Sequence, residues 1–326
     1  MKAVTLSKYA SFQCLAGNCP STCCSGWGIL VDEKDYKRFK DLKPEWLRQD
    51  IFSNIRQKGD RYFFKNQING KCAMLDQDGL CRIQRNTSEE ALCNTCRKYP
   101  RLINLIEGTV YLSMAASCPV VSEYLVRDVV QWNVAEDSGR MERVMAGELS
   151  LTNGVWEMYQ ELWQAAEGLC EQHSNVSLLY PCFGKMAAEV LGIIAQNSEG
   201  SIPAEFFAVL EEDVSEKVKI FLDNERDRWK RILINYMDYR IVNQKIEFPE
   251  ESDLRCIRQA QGELFLLRTL AFCKFCERDT ISYVQWQDLL QRVYRFCVHG
   301  RKVAAAFQNL LEDFFSQDVL WSYMLK

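Results

Sequence analysis

The cysteines of this chain have a number and a spacing that could support chemistry. The chain has 15 cysteines, and nine of them lie within its first 118 residues. These nine are Cys14, Cys19, Cys23, Cys24, Cys72, Cys81, Cys93, Cys96 and Cys118. Thiolates bind soft and borderline metals, and four of them complete one coordination shell. The sequence therefore predicts an N-terminal metal centre.

The shortest steps between cysteines indicate the first ligands. Three residues separate Cys19 from Cys23, and two separate Cys93 from Cys96. A tight turn brings such a pair onto one ion, so these four are the first predicted ligands. The adjacent Cys23 and Cys24 cannot easily point the same way in extended backbone, so one could bind metal while the other packs or serves a second site. Further ligands are expected from Cys14, Cys24, Cys72, Cys81 and Cys118.

The spacing leaves the identity of the metal open. Zinc and an iron–sulfur cluster are both compatible with ligation by cysteine alone. The cysteines do not follow the ferredoxin run C-x2-C-x2-C-x3-C. Cys24 directly after Cys19-x3-Cys23 also breaks the C-x3-C-x2-C triplet of radical enzymes. The chain's two histidines, His173 and His299, are too few for Cys2His2 zinc fingers.

The elements that must position these cysteines are short. We predict that residues 1–119 form a cysteine-rich domain of loops and hairpins, held together by bound metal rather than by a large apolar core. A turn at residues 76–79 predicts one hairpin between residues 73–75 and 80–83. A second hairpin is predicted from residues 102–106 and 110–114. Residues 32–42 are a candidate short helix.

The rest of the chain, residues 120–326, is predicted to be a mostly helical domain, so the fold class is mainly α. Apolar residues recur at helical spacing from Trp229 to Met237. Ser282 and Gln285 form a capping-box signature. The step from Cys273 to Cys276 lies in an apolar helical stretch, where core packing is the better interpretation. Helices are predicted over residues 156–171, 226–243, 282–298 and 301–316.

Composition restricts the function classes. The chain has 326 residues, of which 48% are hydrophobic, and a net charge of −4. That charge argues against a general nucleic-acid binder, whose affinity depends on excess positive charge. The N-terminus has no apolar signal region, and no segment approaches the length of a membrane span. We therefore expect a soluble, cytoplasmic protein without a membrane or nucleic-acid partner, in which cysteines serve metal or redox chemistry rather than disulfides.

Three blocks of residues together resemble the flagellin lysine N-methylase family. The first block is Phe12-Gln13-Cys14, Cys19-x3-Cys23-Cys24-Ser25-Gly26-Trp27 and Asp32-x3-Tyr36; the second is Cys72-x2-Leu75-Asp76-x2-Gly79-Leu80-Cys81-x-Ile83-Gln84; the third is Cys93-x2-Cys96-x2-Tyr99-Pro100-Arg101 with Leu112-Ser113-x3-Ser117-Cys118-Pro119. The blocks cover about the first 120 residues. The helical remainder is compatible with the family but carries little of the resemblance.

The resemblance implies methylation of the ε-amino groups of flagellin lysines, with S-adenosylmethionine as the methyl donor. It also implies a [4Fe–4S] cluster on the N-terminal cysteines, with zinc as the alternative. No Gly-rich turn of the Rossmann type follows a strand and opens a helix, so a pocket for S-adenosylmethionine would be unconventional. The alternative function is a non-enzymatic, zinc- or iron–sulfur-stabilised module that binds a protein partner.

Lysine methylation sets a definite chemical demand. With an ordinary pKa near 10.4, about one lysine amine in 2,500 is neutral at pH 7, which corresponds to about 4.6 kcal/mol. A site can lower this cost by desolvating the ammonium or by supplying a base. Candidate groups near the cysteine blocks are Asp32, Tyr36, Tyr99, Glu123 and Asp128. The sequence assigns none of them as the base, and Tyr99-Pro100-Arg101 is the best small motif for shaping a pocket.

Overall fold

The computed structural model describes residues 2–106, 108–135, 141–144, 215–247 and 253–299. The helices predicted over residues 156–171 and 301–316 lie outside these ranges, as does His173. The described strands and helices of the first part are β1 (Lys2–Leu6), β2 (Leu30–Val31), α1 (Glu33–Phe39), α2 (Glu45–Ser53), β3 (Ile55–Lys58), β4 (Arg61–Phe64), α3 (Arg82–Asn86), α4 (Asn94–Lys98), β5 (Arg101–Ile106), β6 (Thr109–Met114), α5 (Pro119–Arg127), β7 (Trp132–Ala135) and β8 (Met141–Val144). The later part contains the helices α6 (Ser215–Glu247), α7 (Asp253–Cys276) and α8 (Tyr283–Tyr294).

A five-stranded sheet is the main β structure, with strand order β5-β6-β1-β7-β8. The hairpin predicted from residues 102–106 and 110–114 is confirmed as β5 and β6, which pair antiparallel. The N-terminal strand β1 runs parallel to β6 and antiparallel to β7, so it lies in the middle of the sheet. The prediction of a mainly α fold therefore missed a sheet, because its central strand pairs with partners more than 100 residues away, which no local pattern reports.

A second, smaller layer contains the three-stranded sheet β2-β4-β3 and the short helices α1 to α4. It has its own apolar core, formed by Ile29, Val31, Phe39, Leu47, Ile51, Phe64, Cys72, Met74, Ile83, Leu92 and Cys93. Two of these eleven buried residues are cysteines. This small core positions five of the nine N-terminal cysteines.

The hairpin predicted around residues 76–79 is replaced by a turn that leads into a helix. The amide of Gly79 donates to Asp76 O, and Gly79 has φ 81°, a left-handed conformation that favours glycine. Leu75 and Cys81 form an isolated bridge rather than strands, and Cys81 is the N-cap of α3. The prediction was right about the turn and wrong about the second strand, whose place is taken by α3.

The three C-terminal helices confirm the helical pattern over the residues described. Helix α6 includes residues 226–243 and is longer than predicted. Ser282 caps α8, with the capping box to Gln285 present in both directions. The helix continues as a π-helical turn over Arg295–His299. The predicted apolar face of α6 is buried, and its Trp229 packs 5.9 Å, centroid to centroid, from Trp286 of α8.

Helix α6 packs against the five-stranded sheet through polar as well as apolar contacts. Tyr239 Oη donates to Met114 O at 2.8 Å and accepts from the amide of Ala116 at 2.9 Å. Ser113 and Asn243 are also hydrogen-bonded. One apolar core therefore contains Val4 and Leu6 of β1 together with the helical residues. The domain boundary between residues 119 and 120 stays a prediction.

Over the residues that the structure describes, no helix combines the length and the apolar character needed to cross a membrane.

The carboxyl of Asp238, on α6, predicts a pH-dependent stability. Burial raises its pKa from 3.8 to about 7. A carboxyl whose pKa is higher in the folded than in the unfolded chain stabilises the fold at low pH. This stabilisation is lost as the pH rises from the pKa of the unfolded chain to that of the folded chain. Between about pH 5 and pH 8 we expect the free energy of unfolding to fall by about 2–3 kcal/mol from this group. Urea unfolding at both pH values measures it.

The matched variants for this prediction are Asp238→Asn and Asp227→Asn. Both remove one carboxylate from α6, but Asp227 is exposed. Asp238→Asn should lose this component of the pH dependence, whereas Asp227→Asn should keep it. Equal pH dependence in the two variants would contradict the assignment to Asp238.

Candidate metal centre

The nine N-terminal cysteines can be sorted into two sets by which thiols act on one another's pKa. The outer set is Cys14, Cys19, Cys23 and Cys118; the inner set is Cys24, Cys72, Cys81, Cys93 and Cys96. Within the outer set, burial and then the charges of Cys19 and Cys14 raise the pKa of Cys118 to about 11. Within the inner set, burial and then the charges of Cys24, Cys81 and Cys93 raise the pKa of Cys72 to about 12. Thiols of one set are therefore electrostatic neighbours.

The inner set lies on the small core. Cys72 and Cys93 are buried in it, and Cys24, Cys81 and Cys96 pack against it half-buried. The amide of Cys72 donates to Cys24 O at 2.7 Å, which brings the first two sequence blocks together. Burial raises the pKa of Cys81 to about 11, and the nearby thiols of Cys24 and Cys93 contribute to the rise.

A buried carboxylate fixes the segment that carries Cys93 and Cys96. Asp35 of α1 accepts a hydrogen bond from the amide of Asn94 at 2.6 Å, and Arg38 holds the other carboxylate oxygen at 2.7 Å. Because Cys93 is the N-cap of α4, this contact secures the start of the helix that carries Cys96. The side chains of Cys96 and Cys93 are hydrogen-bonded, which lowers the pKa of Cys93 and raises that of Cys96.

Three members of the outer set, Cys14, Cys19 and Cys23, lie on the loop of residues 7–28, whereas Cys118 is buried in the main core. Residues 7–28 are all described, and none of them is buried. The loop packs against the turn at Gly79, where a Cβ on Gly17 would lie 3.2 Å from Asp78 O. Arg295, after α8, donates to Ser21 O at 3.0 Å and to Ser117 O at 3.1 Å. This guanidinium joins the loop of Cys19 and Cys23 to the residue before Cys118.

Cys23 and Cys24 connect the two sets. Their thiols are hydrogen-bonded, which lowers the pKa of Cys24 to about 7 and raises that of Cys23. Cys23 is also a neighbour of Cys14 and Cys118, whereas Cys24 is a neighbour of Cys72, Cys81 and Cys96. Cys24 also acts on the pKa of Cys19, so the sets meet at this pair.

The four first predicted ligands are therefore divided between the sets. Cys19 and Cys23 lie in the outer set, and Cys93 and Cys96 in the inner set. In the part of the chain that is described, no three Cys, His, Asp or Glu side chains are already arranged to hold one ion. The donor chemistry nevertheless fits a soft metal or an iron–sulfur cluster, because each set offers at least four thiols. Ligation by these cysteines stays a prediction.

Most of the candidate bases have other contacts. Asp32 is the N-cap of α1 and accepts from the amide of Asp35 at 2.8 Å. Tyr36 stacks on Tyr62 with ring centroids 4.2 Å apart. Glu123 forms an exposed ion pair with Arg127, and Asp128 forms one with Lys8. These contacts give all four residues structural roles.

Tyr99, the fifth candidate, belongs to a partly buried hydrogen-bonded chain that ends at the exposed His299. Tyr99 Oη and His299 Nε2 each lie 2.9 Å from Ser117 Oγ. Burial raises the pKa of Tyr99 and lowers that of His299, which keeps both side chains neutral near pH 7. Such a chain can pass a proton between a phenol and an imidazole through a hydroxyl, one residue from Cys118.

Sequence reasoning missed this chain because Ser117 and His299 are 182 residues apart. The available signals were indirect: His299 is one of two histidines, and Tyr99 follows the Cys93-x2-Cys96 step. Arg101, the last residue of the Tyr-Pro-Arg motif, lies over the ring of Phe12 at 5.1 Å and thereby joins the first and third blocks.

Three curated relatives are similar to part of this chain. The flagellar biosynthetic protein FliU of Salmonella muenchen is 29% identical over 136 residues, a match covering 39% of this chain and 80% of FliU. Proteins named Lysine-N-methylase from Salmonella typhimurium and Salmonella choleraesuis are each 29% identical over 139 residues. That match covers 39% of this chain and 34% of each methylase, so it spans about a third of the methylases' length.

No family model and no solved structure matches the chain. The relatives establish a family-level link over part of the chain, between it and proteins whose names refer to lysine methylation and to flagella.

Proposed function

We propose that this chain is a protein-lysine N-methyltransferase that transfers methyl groups from S-adenosylmethionine to lysine ε-amino groups of flagellin in the cytoplasm. The observation that carries the proposal is the similarity to two proteins named Lysine-N-methylase and to one named a flagellar biosynthetic protein. Each of the three sequence blocks contains cysteines whose thiols act on the pKa of a cysteine in another block.

The proposal includes a [4Fe–4S] cluster, with zinc as the alternative, on cysteines of the N-terminal sets. Bound there, the metal would supply cross-links between segments of the N-terminal part. We favour this structural role because Cys14, Cys19 and Cys23 lie on the loop of residues 7–28, in which no side chain is buried.

The Tyr99–Ser117–His299 chain is our candidate destination, among the described residues, for the proton that a lysine must lose. In the chain from Tyr99 through Ser117 to His299, the imidazole is kept neutral by burial and by the charges of Arg295 and Arg240. A neutral imidazole can accept a proton, and the serine hydroxyl can relay it. We include this chain in the proposal as the proton acceptor.

The test is methyl transfer by the purified protein. The chain is prepared without oxygen and incubated with unmethylated flagellin, with and without S-adenosylmethionine. Mass spectrometry of flagellin peptides should find methylated lysines only when the donor is present. The control is Cys276→Ser, a thiol change outside both sets, which should retain activity. Stable flagellin binding with no methylated peptide would overturn the proposal and favour a non-enzymatic interaction module.

A further inference from the structure

We propose that one face of the three-stranded sheet β2-β4-β3 docks an acidic segment of a protein partner. The inference rests on the proposed function, in which the partner is the flagellin substrate. Arg56 pairs with Phe63, Lys58 with Arg61, and Leu30 with Phe63. Paired residues, and residues two apart on one strand, point to the same side of a sheet. These five side chains therefore share one side, which we call the basic face.

The other side of this sheet is covered by the small core. Phe64 is buried in that core, and Ile55 and Tyr62 pack against it. Because side chains alternate along a strand, the residues between them point away from the core. On the basic face, Leu30 and Phe63 are partly exposed. The basic face is thus an outward surface with a small apolar area beside three cations.

The three cations of the basic face are uncompensated. Arg56, Lys58 and Arg61 are exposed, and none forms an ion pair or a side-chain hydrogen bond with another described residue. Lys58 lies directly opposite Arg61, a position in which like charges are destabilising. Of residues 55–64, only Asp60 carries a carboxylate; it lies in the turn and forms no ion pair with either cation. Carboxylates of a partner would remove this repulsion.

Protection of a sheet edge does not account for the whole basic face. Charged side chains on an edge strand prevent pairing with other chains, and Arg56 and Lys58 lie on the edge strand β3. Arg61, however, lies on β4, the central strand of the three. Its charge is not needed to protect an edge, which favours a role in binding.

The charge of the whole chain indicates the kind of partner. With a net charge of −4, the chain as a whole repels a nucleic acid, whose phosphates form a continuous row of negative charges. Three cations around a small apolar area match a few carboxylates interspersed with apolar side chains. An acidic protein segment has this chemistry.

The basic face adjoins the candidate proton acceptor. A Cβ on Gly28 would lie 3.4 Å from Phe63 Cδ1, so the backbone at Gly28 borders the basic face. The preceding residue, Trp27, is exposed, and its ring centroid lies 6.4 Å from that of Tyr99. A segment bound on the basic face can therefore continue past Trp27 towards Tyr99 and its hydrogen-bonded chain.

The first measurement uses two fluorescent probes on the full chain. One is a synthetic peptide of alternating glutamate and leucine, and the other is a single-stranded DNA oligonucleotide with the same number of negative charges. The test variant combines Arg56→Gln, Lys58→Gln and Arg61→Gln. Because these side chains have no partner within the described part of the chain, the variant should fold like the wild type.

The matched control combines Lys34→Gln, Lys230→Gln and Arg231→Gln. It removes the same charge from exposed positions on α1 and α6. We expect the control to bind the peptide like the wild type, and the test variant to bind it about tenfold more weakly, since each lost exposed ion pair weakens binding about twofold. Equal binding by all three chains, no binding by any, or tighter binding of the oligonucleotide than of the peptide to the wild type would overturn the inference.

The second measurement is the kinetics of methyl transfer to unmethylated flagellin. The test variant should raise the KM for flagellin about tenfold and leave kcat unchanged, because docking contributes to binding and not to the reaction. A wild-type chain that methylates flagellin with a KM that the test variant does not change would overturn the inference and leave the proposed function standing. A wild-type chain that binds the peptide through the basic face but transfers no methyl groups would do the reverse.

Discussion

Under the proposed function, replacing both Cys93 and Cys96 by serine should abolish methyl transfer and unfold the small layer of the fold. Cys93 is one of eleven buried residues in that layer's core, and Cys96 packs against it. If metal binding supplies folding free energy there, its loss should remove stability and activity together. We expect hydrogen exchange in residues 29–96 to approach that of an unfolded chain, while the protection of α6 and α7 persists.

The same variant distinguishes a metal that only stabilises the fold from a metal that takes part in the reaction. A variant that stays folded but inactive, with wild-type activity depending on the redox state of the metal, would indicate that the metal takes part in the reaction. Cys276→Ser, measured in parallel, should change neither the exchange pattern nor the activity. A metal-free, well-folded variant that methylates flagellin at the normal rate would refute both roles.

The second large effect is expected in the helical part, at Glu263→Gln. Glu263 on α7 is fully buried and accepts from Arg240 Nε of α6 at 2.7 Å. It also accepts from Tyr236 Oη at 2.8 Å. Removing one partner of a buried ion pair leaves the other charge uncompensated, which costs about 3–5 kcal/mol.

For Glu263→Gln we expect about 3 kcal/mol, because Arg240 keeps a second partner in Glu247 at 2.7 Å. Urea unfolding at constant pH measures the loss. The matched control is Glu277→Gln on the surface pair with Lys274, where both side chains are about one-third exposed. Such a pair should cost less than about 1 kcal/mol. Similar losses at the two positions would contradict the importance of the buried pair.

Much of the local structure could be predicted because its causes are local. The helix of residues 226–243 follows from apolar residues at helical spacing, and the start of α8 from the reciprocal bonds of Ser282 and Gln285. The turn of the β5–β6 hairpin could also be predicted from the sequence. In each case the residues that cause the element are its own or its immediate neighbours.

Burial of polar residues could not be predicted in the same way. Arg240 and Asp238 are ordinary helix residues by sequence, yet both are buried. Their environment depends on the sheet and on α7, which approach α6 from other parts of the chain. The central position of β1 has the same origin, since its two partners lie more than 100 residues further along the chain.

For the candidate site, the sequence by itself determined the chemistry: nine N-terminal cysteines define a thiol-rich region, and adjacent Cys23 and Cys24 already suggest two directions. The tertiary structure decided the grouping. Sequence spacing joined Cys19 and Cys23 with Cys93 and Cys96, because short steps make ligand pairs. The fold separates those pairs, since Arg295 brings Ser117 to the loop of Cys19 while Asp35 holds Cys93 on the small core. Spacing reports which thiols can share a turn, and long-range hydrogen bonds decide which turns meet.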